Sequence, residues 1–397
     1  MPVDIGTSSS DDTLENNLSQ PEHRMGIIEA WLQKADIRLN GDRPWDIRVH
    51  NPKLVSRVRR ERSLGLGESY MENWWDCLAL DELFFRLLLK EQNHESITAG
   101  QHIMNWIVSH VLNQQSRTRA FQVGKQHYDT GNELFERILD PHMQYSCAYW
   151  KGAENLAQAQ ENKLDLICRK LQFEPGQTLL DIGCGWGGLA RYAAKNYGVE
   201  VTGLTISKEQ QQLAQERCAG LPVTILLQDY RSLIGKFDRM VSVGMFEHVG
   251  LKNYRTYMKQ AHRLLNRNGL FLLHTIGTNI TSCDTDPWIQ KYIFPNGKIP
   301  SQTQITHAME GFWVMEDWQN LGPDYDKTLM VWHENFVQKW PELLKNYPEK
   351  QYDETFYRMW NYYLLQCAGA FRARALQLWQ LVLRPRGIAV DRYDAPR

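Results

Sequence analysis

The stretch Asp181-Ile182-Gly183-Cys184-Gly185-Trp186-Gly187 decides the fold of this chain. Residues Thr178–Asp181 predict a short strand that runs into it, and the residues after it predict a helix that ends near Tyr197. Glycines at such a junction let the backbone turn sharply into the helix and approach a bound ligand closely. The stretch therefore predicts a ligand-binding loop at the carboxyl end of a strand, with an ordinary tight turn as the simpler alternative.

Strands and helices alternate from Leu171 onward, which predicts a doubly wound parallel sheet of the α/β class. We also expect an irregular, aromatic-rich insertion over residues 277–326 and a late strand near Leu378–Leu383. After the first strand, four more are expected at Val199–Leu204, Val223–Leu227, Arg239–Val243 and Leu270–His274.

The helices between these strands carry their own end signals. Ser207 is expected to cap the helix after the second strand, with Gln210 as the other half of a capping box. Gly220 is expected to end that helix, because glycine readily adopts the left-handed conformation of a helix terminus. A later helix is expected from about Asn253 to Arg267.

Composition excludes several classes of protein. The chain has 397 residues, of which 43% are hydrophobic and 23% charged, and its formal net charge of -1 gives no field that would attract nucleic acid. Its seven cysteines form no C-x-x-C pair, so we expect neither a disulfide framework nor a metal site. The sequence shows no signal peptide and no apolar run of bilayer length, so we expect a cytoplasmic protein that meets a membrane only peripherally.

The chain divides by pattern into four segments. Residues 1–22 predict a disordered tail, and residues 23–112 predict a smaller, mostly helical N-terminal domain. Residues 113–125 predict a linker, and residues 126–397 predict the domain that carries the glycine loop. Within the first domain, Ser63–Ser69 predicts a glycine-punctuated turn.

The glycine loop resembles the cofactor loop of class I S-adenosylmethionine-dependent methyltransferases, which have a Rossmann-like sheet. The glycines alone do not exclude a dinucleotide, but Asp181, two residues before the first glycine, favours the methyltransferase class. The residues just after the second strand are expected to lie beside the ribose or methionine moiety of the cofactor. The residues just after the third strand are expected to lie beside its adenine. In this class an acidic residue usually ends the second strand and binds the ribose hydroxyls. None is present here, so Thr205 or Gln210 must take that role. The residues that this geometry places beside the cofactor are Thr205, Ile206, Gln210, Asp229 and Tyr230.

Two neighbouring strands are expected to deliver polar groups to one edge of the sheet. The fourth strand runs into Gly244–Val249 and the fifth into His274–Gly277, so Glu247 and His274 should face one pocket beside the methyl donor. The simpler alternatives are a solvated loop carboxylate and a core histidine. Convergence of both side chains at one edge favours a functional site.

Several long, unusual strings make the resemblance more specific. They are Gly65–Met71, Trp74-Trp75, His127–Asn132, Met143–Trp150, Gly244–Val249, His274–Gly277 and Tyr292–Gly297. Over nearly its whole length the chain resembles the bacterial cyclopropane-fatty-acyl-phospholipid synthases and the related mycolic acid cyclopropane synthases. The resemblance implies a two-domain, homodimeric enzyme that acts on cis-unsaturated acyl chains of membrane phospholipids and uses S-adenosylmethionine with bound bicarbonate.

The resemblance also implies roles for individual residues. Bicarbonate would be held by Cys147, Glu247, His274, Ile276 and Tyr325, with Cys147 and Ile276 contributing backbone groups. S-adenosylmethionine would be bound by Tyr145, Ser146, Gly183, Gly185, Thr205, Gln210 and Tyr230. All five bicarbonate positions match the pattern of the family.

Other interpretations remain open from the sequence. A methyltransferase of the same class could leave a methyl branch or an alcohol instead of a ring, and a non-catalytic lipid-binding protein could merely respond to the cofactor. The arginine-rich stretch from Arg43 to Arg62 and the apolar face of Gln101–Leu112 could meet anionic lipid. They could equally be a solvated face and a core helix.

Overall fold

The computed structural model describes residues 29, 32–92, 131–281, 285–350, 352–389 and 392–397. Its strands are, in chain order, β1 (Arg48–Val49), β2 (Trp75–Asp76), β3 (Thr178–Ile182), β4 (Glu200–Thr205), β5 (Val223–Leu227), β6 (Phe237–Val243), β7 (Leu265–Gly277), β8 (Trp313–Asn320) and β9 (Gln377–Pro385). Its α-helices are α1 (Leu54–Met71), α2 (Leu80–Gln92), α3 (Asn132–Ile138), α4 (Leu156–Leu171), α5 (Gly188–Tyr197), α6 (Lys208–Arg217), α7 (Tyr254–Leu264), α8 (Pro287–Tyr292), α9 (Gln302–Met309), α10 (Gly322–Asn346) and α11 (Glu354–Arg372). Short 3-10 turns lie at Tyr230–Ser232, Phe246–His248 and Leu251–Asn253.

Seven strands form one sheet in the order β5-β4-β3-β6-β7-β9-β8. The five strands from β5 to β7 are parallel, and β9 and β8 extend the sheet antiparallel. The chain leaves β3 for β4 on one side and later returns to β6 on the other, so the switch point of the sheet lies at the carboxyl end of β3. The doubly wound α/β sheet predicted from the sequence is confirmed, and the glycine loop stands at its switch point.

The turn predicted at Ser63–Ser69 is wrong. These residues lie inside α1, which is broken instead at Arg62, where φ is 56° and ψ is -135°. A Cβ on Gly67 would overlap the ring of Trp288. This glycine therefore serves a close contact between α1 and α8 rather than a change of chain direction.

Two boundaries in the second half of the chain also differ from the prediction. The helix expected over Asn253–Arg267 ends at Leu264, because Leu265 already pairs with Phe237 in the sheet. Residues 277–326 are not irregular, since they contain α8, α9 and β8. The missed strand β8 forms against β9, a partner that lies far along the chain and leaves no local signal.

The predicted capping box of α6 is only half present. The Ser207 hydroxyl accepts from the backbone N–H of Gln210, as expected. The Gln210 side chain instead accepts a hydrogen bond from the Thr205 hydroxyl. Gly220 does not cap the helix directly, because the C-cap is Cys218, two residues earlier.

The N-terminal residues 32–92 share a hydrophobic core with the C-terminal helices. α1 and α2 pack on α11, and one buried cluster contains both Trp75 and Trp360. Arg358 of α11 donates to the backbone carbonyls of Tyr70, at 2.5 Å, and Trp75, at 2.9 Å. One carbonyl near the end of α1 and one in β2 are thereby satisfied by a side chain from the far end of the sequence.

Some predicted segments lie outside the described residues. They are the tail 1–22, the linker 113–125 and the apolar helix Gln101–Leu112. The division into two domains at that linker stays a prediction. Within the part of the chain that the structure describes, no helix is both long and apolar enough to cross a membrane.

Candidate active site

A cavity of about 700 Å³ lies at the carboxyl ends of β3, β4, β6 and β7. The structure brings every site residue predicted from the sequence to its wall. These are Tyr145, Ser146, Cys147, Asp181, Gly183, Gly185, Thr205, Ile206, Gln210, Asp229, Tyr230, Glu247, His274, Ile276 and Tyr325. Their roles remain predictions, but their convergence in one cavity meets the first requirement of a shared site.

The glycine loop forms the wall at the end of β3. Gly183 and Gly185 have φ values of 86° and 55°, a region that side-chain-bearing residues rarely adopt. A Cβ on Gly185 would find no atom within 4 Å, so the loop presents bare backbone to open space. The indole N–H of Trp186 donates to Asn132 Oδ1 at 2.9 Å and anchors the loop to α3.

A neutral pair replaces the missing acidic residue at the end of β4. The Thr205 hydroxyl donates to Gln210 Oε1 at 2.8 Å, and both side chains are buried. This bond fixes the orientation of the Gln210 amide, whose N–H groups can donate into the cavity. At the end of β5, the Asp229 carboxylate accepts from the Arg231 guanidinium at 2.5 and 2.8 Å, so its charge is compensated within its own loop.

Glu247 is held by the strand next to its own. The 3-10 turn after β6 carries it, and its Oε1 accepts from the backbone N–H of Ile276 at 2.6 Å. Among the described residues Oε2 has no hydrogen-bond partner, although it is buried. Burial raises the pKa of Glu247 to about 7, while the backbone N–H groups lower it. Ile276, whose backbone the resemblance assigns to bicarbonate, therefore donates its N–H to Glu247 in this structure.

His274 is the last residue of β7 that pairs with β6, and it lines the cavity. Gln380 of β9 stands opposite it in register, and the Gln380 amide donates to His274 Nδ1 at 3.3 Å. The ring hydrogen must then lie on Nε2, which is buried and has no partner among the described residues. Burial lowers the pKa of His274 well below its ordinary value, so the ring is neutral.

Cys147 and Tyr325 are also kept neutral by burial. The Cys147 thiol donates to the carbonyls of Ala148, at 3.2 Å, and Leu321, at 3.8 Å, and burial raises its pKa well above the ordinary value. The Tyr325 ring packs 4.5 Å from that of Phe371, and burial likewise raises the pKa of its phenol. Neither group is therefore an anionic nucleophile at neutral pH.

Sequence reasoning missed the residues that support this wall from behind. Gln160 and Lys163 of α4 are fully buried polar side chains, and both contact the segment 144–146. Tyr363 of α11 exchanges a hydrogen bond of 2.9 Å with the Tyr145 hydroxyl. For Gln160 and Lys163, the available signal was a polar residue on the apolar face of the amphipathic helix α4. The sequence around Gln380 gives no comparable signal.

The rest of the cavity is mainly apolar, with a few polar residues such as Asp286, Lys291 and Gln366 in its lining. Residues of α8, α10 and α11 and of the start of β9 contribute to this part of the wall. Its apolar lining includes Ile289, Phe294, Leu329, Phe371, Leu376 and Leu378. The site thus combines a polar end, where charged or hydrogen-bonding groups of a ligand fit, with a dry end suited to hydrocarbon.

The fold and the site define a class of protein. A glycine loop at the switch point of this mixed seven-stranded sheet, with the cavity beside it, is the class I S-adenosylmethionine-dependent methyltransferase arrangement. Among the described residues, no group of three or more His, Cys, Asp or Glu side chains is arranged to hold a metal ion.

Comparison with known proteins then gives the family. A family model described as mycolic acid cyclopropane synthetase matches residues 115–381. Cyclopropane-fatty-acyl-phospholipid synthase of Escherichia coli K12 is 57% identical over 362 residues, which are 91% of this chain and 93% of the relative. The structure of cyclopropane synthase MmaA2 from Mycobacterium tuberculosis has a TM-score of 0.61 at 33% identity, covering 66% of this chain and 97% of that one.

A second solved structure covers the same shares of both chains. It is mycolic acid cyclopropane synthase CmaA1 complexed with SAH and CTAB, with a TM-score of 0.61 at 34% identity over 66% of this chain and 97% of that one. The chain therefore belongs to the family of S-adenosylmethionine-dependent cyclopropane-fatty-acyl-phospholipid and mycolic acid cyclopropane synthases.

Glu247 should make the folded protein less stable as pH rises. Its folded pKa is about 7 against an ordinary value of 4.5, so between these values the unfolded chain releases a proton that the folded protein retains. Glu247→Gln removes this titration and keeps an acceptor for the Ile276 N–H. From about pH 5 to about pH 8, the unfolding free energy of the variant should gain on the order of 1–3 kcal/mol relative to wild type.

Urea denaturation across this pH range, in carbonate-free buffer, measures the difference. Glu154→Gln is the control, because water solvates this exposed carboxylate in both the folded and the unfolded state. If the difference in unfolding free energy between Glu247→Gln and wild type stays constant with pH, the pKa of Glu247 is not raised by folding.

Proposed function

We propose that this chain transfers the methyl carbon of S-adenosylmethionine across the cis double bond of unsaturated phospholipid acyl chains and forms a cyclopropane ring, with bound bicarbonate as general base. One observation carries the proposal. Glu247 Oε2 and His274 Nε2 are buried polar atoms with no partner among the described residues, and both line a cavity that joins a methyltransferase glycine loop to an apolar chamber. Buried polar atoms without partners are unfavourable, and these two residues share one cavity, so we propose a small ligand that offers the complementary groups.

The polar end of the cavity suits S-adenosylmethionine, which supplies an electrophilic methyl group when bound. We assign Gly183 and Gly185 to its binding, because the loop backbone there carries no side chain and the space beside Gly185 is open. Thr205 with Gln210 offers neutral hydrogen-bonding groups in place of a carboxylate. The remaining residues that we assign to its binding are Tyr145, Ser146, Asp181, Ile206, Asp229 and Tyr230.

The orphaned atoms suit hydrogen carbonate, which supplies a weak base when bound. Glu247 as a carboxylate accepts an O–H, and the His274 Nε2–H donates to an oxygen. We assign Tyr325 and the backbone of Cys147 to the same subsite. For Ile276 we assign a positioning role, because its N–H holds Glu247 Oε1. A weak base suffices, since a carbocation formed on the acyl chain is a very strong acid.

The apolar end suits an acyl chain and protects a cation. Water or a nucleophilic side chain would trap a carbocation as an alcohol or an adduct. Tyr145 and Tyr363, whose hydroxyls share a hydrogen bond, both line the cavity, so we assign their rings to cation–π stabilisation. A methyl-branched or hydroxylated product, the main alternative, would require a different fate for the same cation.

Peripheral membrane contact and a homodimer belong to the same proposal. The arginine-rich stretch supports it only in part, because Arg57 binds Glu61, Glu68 and Glu72 and is therefore compensated. Arg59 and Arg62 are exposed and remain candidates for contact with anionic head groups.

Mass spectrometry of lipids from vesicles of unsaturated phospholipid tests the reaction. With S-adenosylmethionine and bicarbonate, we expect a mass gain of one CH₂ per modified chain together with loss of the alkene. In carbonate-depleted buffer the rate should fall and recover when bicarbonate is added. Glu247→Gln should lose roughly ten- to a hundred-fold in rate, the value of a charge-assisted hydrogen bond to the bound base.

Three results would contradict this scheme. A product that keeps its alkene would exclude ring formation, and a hydroxylated product would favour the rival methyltransferase. Full activity without bicarbonate, combined with complete loss in Glu247→Gln, would make Glu247 itself the base.

Cys147→Ala should remain active, with a loss of turnover smaller than about tenfold. The thiol is neutral, donates to backbone carbonyls and contributes no ionised group. Cys168→Ala, a buried cysteine away from the cavity, is the matched control for packing. A folded Cys147→Ala protein without turnover, beside an active Cys168→Ala protein, would point to thiol chemistry.

Gly185→Ala should weaken binding of S-adenosylhomocysteine by roughly tenfold or more, because overpacking a close contact costs about 1–3 kcal/mol. Gly152→Ala is the control, since Gly152 has a comparable φ of 70° and equally open space but does not line the cavity. Both variants should lose similar stability from backbone strain. Calorimetry that finds equal affinities in the two variants would remove the glycine loop from the site.

A further inference from the structure

Lys163 is a charged side chain with no exposed surface, directly behind the cavity wall. Its ammonium lies 3.0 Å from Ser146 Oγ and 2.5 Å from Gln144 Oε1, and both of these residues line the cavity. We propose that Lys163 is a positioning residue that, through Ser146, presents a hydrogen-bond donor to the carboxylate of the amino-acid part of S-adenosylmethionine. The proposal rests on the cofactor site proposed above and adds a residue that does not itself line the cavity.

The first step is the direction of the hydrogen bonds. An ammonium group has only donors, so the Ser146 oxygen must accept from Lys163 and its own hydrogen remains available for another acceptor. The Ser146 backbone carbonyl is already used, because Gln160 Nε2 donates to it at 2.9 Å. The hydroxyl hydrogen can therefore be donated into the cavity, and the adjacent charge makes it a stronger donor.

The second step is the connection to the glycine loop. Gln144, the other acceptor of Lys163, donates through its amide to the carbonyl of His142. A Cβ on Gly188 would overlap both that carbonyl and the Gln144 amide, so the first turn of α5 rests on this segment. Lys163 thus holds the segment at two points and sets its position relative to the loop that would hold the same ligand.

The third step is the sign of the charge. Burial lowers the pKa of Lys163 to about 8, while Asp140, Cys147 and Asp181 act against the shift, so the ammonium form prevails at neutral pH. Burial raises the pKa of Asp181 to about 7, which weakens its compensation of this cation. A cation that is incompletely compensated attracts a carboxylate and repels an ammonium or sulfonium group.

Titration calorimetry with S-adenosylmethionine and with decarboxylated S-adenosylmethionine tests the proposal without any lipid. Lys163→Met should weaken binding of the first ligand roughly ten- to a hundred-fold, the value of a charge-assisted hydrogen bond. Binding of the decarboxylated ligand should be unchanged or tighter. Ser146→Ala should act in the same direction, and the double variant should bind no worse than Lys163→Met alone, because both changes remove one interaction.

Lys170→Met is the matched control. Lys170 is equally buried on the same helix, but its ammonium lies 3.0 Å from Asp317 and it does not line or support the cavity wall. Its loss should leave the affinity for S-adenosylmethionine at the wild-type value, and Asp317 keeps Arg397 as a partner.

Several outcomes would overturn the proposal. Equal losses for both ligands in Lys163→Met would assign Lys163 to the fold alone, and so would additive losses in the double variant. Should Lys163→Met fail to fold, Ser146→Ala with the same two ligands decides the question. A wild-type chain that binds neither ligand would overturn the cofactor site itself and with it the proposed function.

Discussion

The hydrogen bond of 2.6 Å from the Ile276 backbone N–H to Glu247 Oε1 is the contact on which the site depends. It ties the turn after β6 to the last residues of β7, so that two neighbouring strands fix one carboxyl group. Because the donor is a backbone N–H whose position is fixed by the sheet, the hydrogen bond restricts the carboxyl group to one position. The second oxygen stays buried without a partner among the described residues, which is an unfavourable state for a carboxylate.

The same construction recurs around the polar end of the cavity. In each case a group behind or beside the wall occupies one hydrogen-bonding atom of a lining residue and leaves another for a ligand. The pairs are Ile276 with Glu247, Gln380 with His274, Lys163 with Ser146, and Thr205 with Gln210. Groups that are already oriented need little reorganisation when charge develops during a reaction. They therefore stabilise that charge better than water molecules, which must first reorient.

The sequence could predict those site residues whose position depends on the local chain, and it could not predict those positioned by contacts with distant elements. Gly185, Thr205 and Glu247 each lie at the end of a strand with a readable local pattern or just after it, and all three line the cavity. Gln380 and Lys163 act from neighbouring elements. Gln380 reaches His274 only because β9 enters antiparallel beside β7, which no local signal announces.

The errors in the predicted fold have the same origin. Glycines that allow close approach of two helices look, in the sequence, like glycines that allow a turn. The stretch Ser63–Ser69 could be recognised as helix only with Trp288 in view, and β8 only with β9 as its partner. Distant contacts decided these elements, whereas the parallel strands carried their own periodicity.

Burial solves two opposite chemical problems in this cavity. The enzyme needs an electrophile next to an alkene, and it must keep every competing nucleophile neutral. Burial raises the pKa values of the Cys147 thiol and the Tyr325 phenol, so neither is ionised, and it keeps the His274 ring uncharged. Glu247 is subject to the same effect. Its unpartnered oxygen differs, because in the proposed mechanism an O–H of the bound hydrogen carbonate stabilises the carboxylate form of Glu247.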